Sequence, residues 1–312
     1  MIYPKGTGSL ASLVIETWNV GGEAAPLRRL LYTLAPQLAG VELVITHVGL
    51  DARTRDTLAD GRRITWVELP READYYTHKN RGFDATTGDI VAFIDGDCEP
   101  DPTWLDELIA PFAEGALVVA GATSYPGAVA AIANAIDFPY FDGETAAQCS
   151  IADAPPTVRN FFANNVAFER KTFAERHYPT IDRMFHGQCQ VLALDLLKGG
   201  IPVVFAPRAR LTHAWPDDLR EWLEVRLLRG ADTVSLLPYL TAHYTPRAAP
   251  VLDRLGALPS LAVFAMRAVS GAWQAVRRGP TLQGLGFVAL ATVLDSIGAA
   301  ASPRIYRWIP AS

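Results

Sequence analysis

The chain has 312 residues, of which half are hydrophobic and a fifth are charged, so it is long enough for one large α/β domain or a domain with an appendage. Its formal net charge is −5 with Lys and Arg scattered along the chain, which argues against a nucleic-acid-binding protein with a concentrated basic surface. Cys98, Cys149 and Cys189 fit neither a disulfide framework nor a zinc site, and the N-terminus lacks the apolar core of a signal peptide. We therefore expect a cytoplasmic protein with reduced thiols.

The first part of the chain alternates between apolar runs of strand length and stretches with helical periodicity. Strands are predicted at 12–15, 41–48, 63–69, 89–94 and 116–121, and helices at 27–38, 75–86 and after Asp101-Pro102. This alternation predicts an α/β fold with a Rossmann-like, mostly parallel sheet flanked by helices, in which ligands bind at the carboxyl ends of the strands. Glu16-Thr17, Thr46-His47 and Asp95-Gly96-Asp97 would lie at those ends.

The second part ends in two strongly apolar stretches. Strands are predicted at 161–168 and 203–205, and helices at 189–198, 217–236, 258–276 and 282–301. Beyond Pro250 the longest uncharged run, 279–294, has 16 residues, fewer than the roughly 20 that a spanning helix needs. The last two helices fit an interfacial position on a membrane, with Trp273 and Arg277-Arg278 at the lipid boundary. The alternative is a helical hairpin packed on the rest of the chain or on a second subunit.

An acidic pair follows the apolar strand at 89–94. Asp95 and Asp97 are two residues apart, and a turn at Gly96 would point both carboxylates into one site. Mg²⁺ and Mn²⁺ prefer oxygen ligands and keep coordination positions open for substrate phosphates, so this pair could hold a metal that bridges a diphosphate. Asp-Gly-Asp is also a common turn, which is the alternative interpretation.

The residues around this pair resemble the nucleotide-sugar segment of family 2 glycosyltransferases. The similar segment runs from Lys79-Asn80-Arg81-Gly82 through Ala85-Thr86-Thr87-Gly88 and a hydrophobic strand to Asp95-Gly96-Asp97. Other similar stretches lie in the family's order at 13–19, 100–105, 164–168, 192–197 and 209–213, so the resemblance covers about residues 10–235. It implies a GT-A glycosyltransferase domain at 1–245, with a donor half at about 10–122 and an acceptor half at about 123–245. Apolar helices would follow at 250–312.

The resemblance also implies a chemistry and roles for individual residues. The enzyme would move a sugar from a nucleoside-diphosphate sugar, with inversion and with Mn²⁺ or Mg²⁺ as cofactor. Asp97 would ligate the metal, Asp95 would contact the ribose or a metal-bound water, and His213 would add a metal or diphosphate contact. The nucleotide contacts would come from Glu16, Thr17, Asn19, Lys79, Asn80 and Gly96, and the diphosphate contacts from Arg226 and Arg229. A structural histidine, and solvated positions for Lys79 and the arginines, are the alternatives.

Two stretches depart from the family's pattern. Where the family carries base-recognising aspartates after the second strand, this chain has Thr46-His47, which leaves the nucleotide open. Where inverting members carry an acidic pair with the general base, it has His186-Gly187-Gln188-Cys189-Gln190, and a glutamine amide cannot take a proton. His186 or Asp182 could serve as the base, or the acceptor could already be ionised, as a lipid phosphate is. The third alternative is a nucleotide-sugar-binding or scaffold protein that does not transfer efficiently.

Other classes fit less well. A dinucleotide-dependent oxidoreductase should show G-x-G-x-x-G after the first strand, and a nucleotidyltransferase should show a basic, Gly-rich loop there. The chain has Val20-Gly21-Gly22-Glu23 instead. We expect as partners a nucleoside-diphosphate sugar and an acceptor that is a glycan, a lipid-linked molecule or a small molecule, and no nucleic acid. Peripheral contact with the inner face of the membrane and a homodimer both stay open.

Overall fold

The computed structural model describes residues 11–20, 24–124, 157–158, 160–214, 219–277, 282–302 and 304–305. The chain divides into two units. The sheet unit comprises the described residues of 1–124, 143–180 and 196–214, and the helical unit comprises those of 125–142, 181–195 and 215–312. The division into a domain at 1–245 and helices at 250–312 stays a prediction.

The sheet unit is built on a mixed β-sheet. Its strands are β1 Ala11–Glu16, β2 Glu42–His47, β3 Ile64–Glu68, β4 Ile90–Asp95, β5 Glu99–Pro100, β6 Val118–Ser124, β7 Thr157–Val158, β8 Val166–Glu169 and β9 Val203–Thr212. They lie in the order β3-β2-β1-β4-β8-β6-β9-β5, with β7 paired to β9. The first four are parallel, β6 and β9 are parallel, and β8 is antiparallel to β4 and β6. The predicted α/β fold is confirmed, while the antiparallel strand between β4 and β6 does not follow from the alternation.

Strands β1 and β4 form the centre of the parallel part. Leu13, Val14 and Ile15 of β1 are fully buried, as is every residue from Val91 to Ile94 of β4. Such continuous apolar runs are typical of parallel strands that are covered on both faces. The pairing places Glu16 beside Asp95, so the polar residues that end these two strands are neighbours.

Ten α-helices lie within the described residues. They are α1 Ala24–Leu34, α2 Ala52–Ala59, α3 Tyr75–Asp84, α4 Trp104–Ile109, α5 Arg170–Ala174, α6 Gln188–Lys198, α7 Leu219–Tyr244, α8 Ala249–Arg254, α9 Ser260–Arg277 and α10 Leu282–Ala300. Helix α3 begins at its N-cap Asp74, which accepts a hydrogen bond from Thr77 N at 2.6 Å. It packs directly on β1: Gly82 lies so close to Val14 that a β-carbon at this glycine would overlap the side chain of Val14. No described helix has both the length and the apolar character needed to cross a membrane.

Several elements differ from those that the sequence predicts. Helix α2 is not predicted, because only Leu58 of its eight residues is buried and the helix therefore lacks a periodic apolar face. Strand β9 continues through Pro207, where its pairing with β6 shifts register and the sequence pattern shows a break. Strand β8 begins at Val166 rather than near Phe161, and α7 extends to Tyr244.

Helices α7 and α10 of the helical unit cross at close range. A β-carbon at Gly298 would overlap the carbonyl oxygen of Leu227, and one at Gly230 would overlap that of Asp295. The buried Arg226 of α7 forms an ion pair with the buried Asp295 of α10 next to this crossing. The two glycines therefore set the distance between the helices.

We expect Gly298→Ala to lower the free energy of unfolding by about 1–3 kcal/mol, because the new methyl group must push α10 away from α7. Gly286→Ala in the same helix is the matched control, since a β-carbon there meets nothing within 4 Å. Alanine favours helix over glycine by about 1 kcal/mol, so this control should be neutral or stabilising. Urea unfolding of both variants measures the difference, and equal stability would contradict the close crossing.

Candidate active site

The carboxyl ends of β1 and β4 carry a cluster of polar side chains. Gly96 N donates to the carbonyl oxygen of Glu16 at 2.8 Å, and Cys98 N donates to that of Asp95 at 3.1 Å, so the chain turns back sharply after β4. His213 follows β9, and its backbone N donates to Ser124 O at 2.8 Å. The ends of four strands thereby bring an acidic turn and a histidine together, as expected for a site at this edge of a sheet.

Asp95 is held by two residues of α3. Lys79 Nζ lies 2.6 Å from Asp95 Oδ1, and the hydroxyl of Tyr75 lies 3.0 Å from both carboxylate oxygens. Tyr75 and Lys79 are four residues apart and therefore project from the same face of the helix. Burial alone would raise the pKa of the Asp95 carboxyl, but Lys79 and then His213 hold that pKa well below its usual range. Asp95 is a buried, ionised carboxylate.

Asp97 and His213 form the more open side of the cluster. His213 Nε2 lies 3.5 Å from Asp95 Oδ2 and 3.6 Å from Asp97 Oδ1, and His213 Nδ1 lies 2.8 Å from the carbonyl oxygen of Ala214. Burial alone would lower the pKa of His213, but Asp97 and Asp95 raise it to about 9. Burial raises the pKa of Asp97. At neutral pH and without a bound metal the imidazole therefore carries one positive charge, which offsets the two carboxylates together with the charge of Lys79. A metal that His213 ligates would displace the proton from Nε2.

The donor atoms of this cluster fit a divalent metal ion. One ligand atom each from Asp95, Asp97, Cys98 and His213 lies within 4.8 Å of the others. Asp97 Oδ1 is buried and makes no hydrogen bond within the described chain, so an oxygen is left that a cation would satisfy. Two carboxylates and an imidazole are ligands that suit Mn²⁺, and carboxylates suit Mg²⁺.

Glu16 and Thr17 line the adjoining end of β1. Glu16 is fully buried and accepts a hydrogen bond from Trp18 N at 2.7 Å. Burial, and next the charge of Asp95, raise the pKa of Glu16 well above its usual range. The Thr17 hydroxyl donates to Thr46 O at 2.9 Å, which ties the end of β1 to the end of β2.

The other predicted site residues are placed as follows. Asn19 belongs to a 3₁₀ turn at Trp18–Val20, and its side chain lies outside the described part of the structure. Asn80 bonds to the backbone of Tyr178, donating to its O at 2.9 Å and accepting from its N at 3.1 Å. Four residues belong to the helical unit, namely Asp182, His186, Arg226 and Arg229. Arg226 pairs with Asp295 there, and Asp182 is exposed beside Arg183.

Tyr75 and Cys98 belong to the cluster although the sequence does not single them out. The spacing of Tyr75 and Lys79 on a helix was a usable signal for Tyr75, because residues four apart share a face. Cys98 directly follows the acidic pair, but a lone cysteine in a hydrophobic context is usually a packing residue. It also packs with the apolar core, where it is 1% exposed.

Two buried histidines lie beside this cluster. His78 of α3 contacts Thr46 Oγ1 through its Nδ1 at 3.1 Å, and His47 ends β2. Both side chains are fully buried, and the Nε2 atom of each makes no hydrogen bond within the described chain. Burial, and next the charge of Lys79, lower the pKa of His78 from its usual 6.5 to about 4. The folded protein therefore holds His78 neutral.

Acid should destabilise the protein through His78. Below pH 6.5 the unfolded chain takes up a proton at this residue that the folded chain does not, down to about pH 4. Each pH unit in that window should cost about 1.4 kcal/mol. We expect the stability difference between the wild type and His78→Gln, measured by urea unfolding, to shrink at that rate as the pH falls from 6.5. A constant difference would contradict a neutral His78, since the other titrating groups are common to both proteins.

Replacement of Lys79 should strongly destabilise the fold. Lys79 and Asp95 are both fully buried, and loss of one partner leaves an uncompensated buried charge. We expect Lys79→Met to lower the free energy of unfolding by about 3–5 kcal/mol. Lys171→Met on the exposed side of α5 is the control and should change stability by less than about 0.5 kcal/mol. Thermal unfolding of both variants measures this, and equal stability would show that the pair is dispensable.

The fold and the site define a GT-A type protein, with an acidic turn at the end of a central parallel strand. The family model described as glycosyl transferase family 2 matches residues 12–174, which is slightly more than half of the chain, and the chain belongs to this family. The predicted resemblance to family 2 glycosyltransferases is confirmed. A curated relative is the pre-mycofactocin glycosyltransferase of Mycobacterium tuberculosis, 22% identical over 245 residues. These cover 77% of this chain and 50% of the relative, so the chain spans about half the length of the curated relatives it matches.

Solved structures share the fold. The mannosyltransferase PcManGT from Pyrobaculum calidifontis, in complex with GDP-Man and Mn²⁺, has a TM-score of 0.61 at 15% identity, over 96% of this chain and 88% of that one. Glucosyl-3-phosphoglycerate synthase from Mycobacterium tuberculosis, in complex with UDP, has a TM-score of 0.52 at 20% identity, over 74% of this chain and 80% of that one. These likenesses confirm the predicted GT-A fold.

Proposed function

We propose that this glycosyltransferase takes its sugar from a nucleoside-diphosphate sugar and that Asp97 and His213 ligate the required Mn²⁺ or Mg²⁺, with Asp95 beside them. The main support is that these three side chains converge on one point. In addition, the Asp97 Oδ1 atom is buried and makes no hydrogen bond in the described chain. The solved relatives support the donor class, since PcManGT was solved with GDP-Man and Mn²⁺ and the synthase with Mn²⁺ and UDP.

A bound metal supplies charge stabilisation for the leaving diphosphate. The chain's own residues prepare the site for it. Lys79 and Tyr75 fix the Asp95 carboxylate in the orientation that contacts the ribose or a metal-bound water, and Lys79 acts on the donor through Asp95. Glu16, Thr17 and Asn19, with Gly96, would contribute the contacts to the base and ribose. Asn80 anchors the chain at Tyr178 near the nucleotide. Of the two arginines predicted for the diphosphate, Arg229 would serve it, because the buried Arg226 is already paired with Asp295.

We propose that His47, at the end of β2, contacts the base with the opposite hydrogen-bond polarity to a carboxylate. Leu50 N donates to His47 Nδ1 at 3.3 Å, so a neutral imidazole keeps its proton on Nε2. Burial lowers the pKa of His47, which favours this neutral form. The partner that fits is therefore a carbonyl oxygen or ring nitrogen of the base rather than an N–H group. Comparison of His47→Asp with the wild type for binding of UDP, GDP, CDP and ADP tests this, and an unchanged order of affinities would refute it.

On the acceptor side, His186 or Asp182 would act as the general base that removes the proton from the acceptor hydroxyl, and the sugar carbon would be inverted. An acceptor that is already ionised would need no base. The donor half at about 10–122 would bind the nucleotide sugar, and the acceptor half at about 123–245 would bind the acceptor.

The alternative function is a donor-binding or scaffold protein of the same fold. Slow hydrolysis of the nucleotide sugar without acceptor separates the two, because an enzyme with this site should release free sugar and a scaffold should not.

We also propose peripheral contact with the inner face of a membrane, with a lipid-linked acceptor as the substrate that fits this location. Exposed apolar side chains on α9 and α10 support the contact, among them Trp273, Leu282 and Val293. A homodimer through the same surface is the alternative. Sedimentation velocity of the purified chain tests the dimer directly.

A further inference from the structure

Helices α9 and α10 each carry a stripe of exposed, large apolar side chains. On α9 the stripe is Met266, Val269, Trp273 and Val276, whose spacing of three and four residues places them on one side of the helix. The opposite side is buried through Phe264, which is 2% exposed. The stripe on α10 comprises Leu282, Leu290, Val293 and Ile297. We call these two stripes together the apolar face.

A groove between α9 and α10 adds to this surface. Its volume is about 420 Å³, and its lining is apolar and includes Val269, Leu285 and Val288. Val288 also packs, together with Ala291, against Trp222 of α7. The two helices are thus anchored within their own unit through Val288 and Ala291, while the two stripes and the groove present apolar side chains.

The charged residues from Arg254 onward, a segment that includes both stripes, are almost all basic. From Arg254 to the end, the chain contains six arginines and one aspartate, a net charge of +5, whereas the whole chain carries −5. The aspartate is Asp295, which is 1% exposed and pairs with the buried Arg226 of α7. Arg277-Arg278 directly follow the stripe of α9.

We propose that the apolar face docks on an anionic phospholipid surface, with the arginines at the headgroups. An apolar stripe flanked by basic residues and an aromatic side chain is the pattern of helices that lie in a membrane interface. Each arginine near an anionic surface adds attraction that a neutral lipid does not supply. Contact with a second copy through this face is disfavoured, because it would bring two segments of charge +5 together. The inference deepens the proposed membrane contact and does not depend on sugar transfer.

Flotation of the full chain with phospholipid vesicles tests the proposal. We expect binding to vesicles that contain phosphatidylglycerol, weakened by salt, and at least roughly tenfold weaker binding to pure phosphatidylcholine. Arg277→Gln with Arg278→Gln should weaken binding to the anionic vesicles on the order of 30-fold, because each arginine contributes about a fivefold factor. The same double change at Arg28 and Arg29, an exposed pair on α1, is the matched control and should leave binding unchanged.

A second pair of variants tests the apolar part. Trp273→Glu should abolish flotation, whereas Tyr32→Glu, which alters a side chain 82% exposed in the sheet unit, should not. Equal binding to both vesicle types, or no flotation of the wild type, would overturn the proposal. So would a dimer that Trp273→Glu converts to a monomer without any lipid binding, since the face would then belong to a second copy. Donor hydrolysis measured on the same samples separates failure of docking from failure of the proposed enzyme activity.

Discussion

Replacement of Asp97 with alanine should lower sugar transfer roughly 10³-fold and abolish the metal-dependent part of donor binding, because a catalytic metal contributes several kcal/mol of charge stabilisation. Asp97 Oδ1 is buried without a hydrogen bond in the described chain and lies 3.6 Å from His213 Nε2. Asp95 is a poor substitute for Asp97, since its oxygens already accept hydrogen bonds from Tyr75 and Lys79. The loss therefore removes an oxygen ligand that no neighbour replaces.

Calorimetric titration with UDP, GDP and dTDP and their sugars, with and without Mn²⁺, measures this effect. The wild type should bind one nucleotide in a metal-dependent way, and Asp97→Ala should weaken that binding at least about 100-fold. Glu99→Ala is the matched control, because it removes an exposed carboxylate two residues along the chain. If Asp97→Ala binds the nucleotide as tightly as Glu99→Ala does, the acidic turn is structural and the metal site lies elsewhere.

The acidic turn could be predicted from the sequence because its signals are local. A buried apolar strand, two carboxylates and a glycine between them stand next to each other in the chain, and the order of the neighbouring motifs gives the family. The partners of Asp95 could not be predicted in this way. Lys79 is a charged residue on a helix, for which a solvated position is the usual expectation. Its burial follows from the close packing of α3 on β1 at Gly82, which is a long-range contact.

The same distinction holds for the fold. Strands β1 and β4 were predictable because each is a continuous apolar run, and α3 because its cap and length are visible in the sequence. The antiparallel pairing of β8 between β4 and β6 was not, since a strand of four residues carries no sign of its neighbours. The ion pair of Arg226 with Asp295 joins residues 69 positions apart, so the interpretation of Arg226 as a phosphate ligand could not take it into account.

Changing His186 to alanine should lower turnover roughly 10²–10⁴-fold while donor binding persists, because an imidazole can accept a proton and stands in the stretch where the family carries its acidic pair. The change should leave the local backbone intact. His186 N and Phe185 N donate to the two carboxylate oxygens of Asp232, at 2.7 Å and 2.5 Å, and these bonds do not involve the imidazole. Steady-state kinetics, together with calorimetry of the donor, separate turnover from binding.

The variants Asp182→Asn and His243→Ala complete this test of the general base. His243 is a half-buried histidine of the same unit, and its replacement with alanine should leave turnover unchanged. Asp182 is exposed, and a loss of turnover in Asp182→Asn instead of His186→Ala would move the general base to that carboxylate. If the wild type transfers sugar and neither change affects the rate, the acceptor must arrive already ionised, as a phosphate group does, and the chain needs no base of its own. If the wild type binds donor and transfers nothing, the scaffold alternative holds, and the missing acidic pair then marks a loss of catalysis.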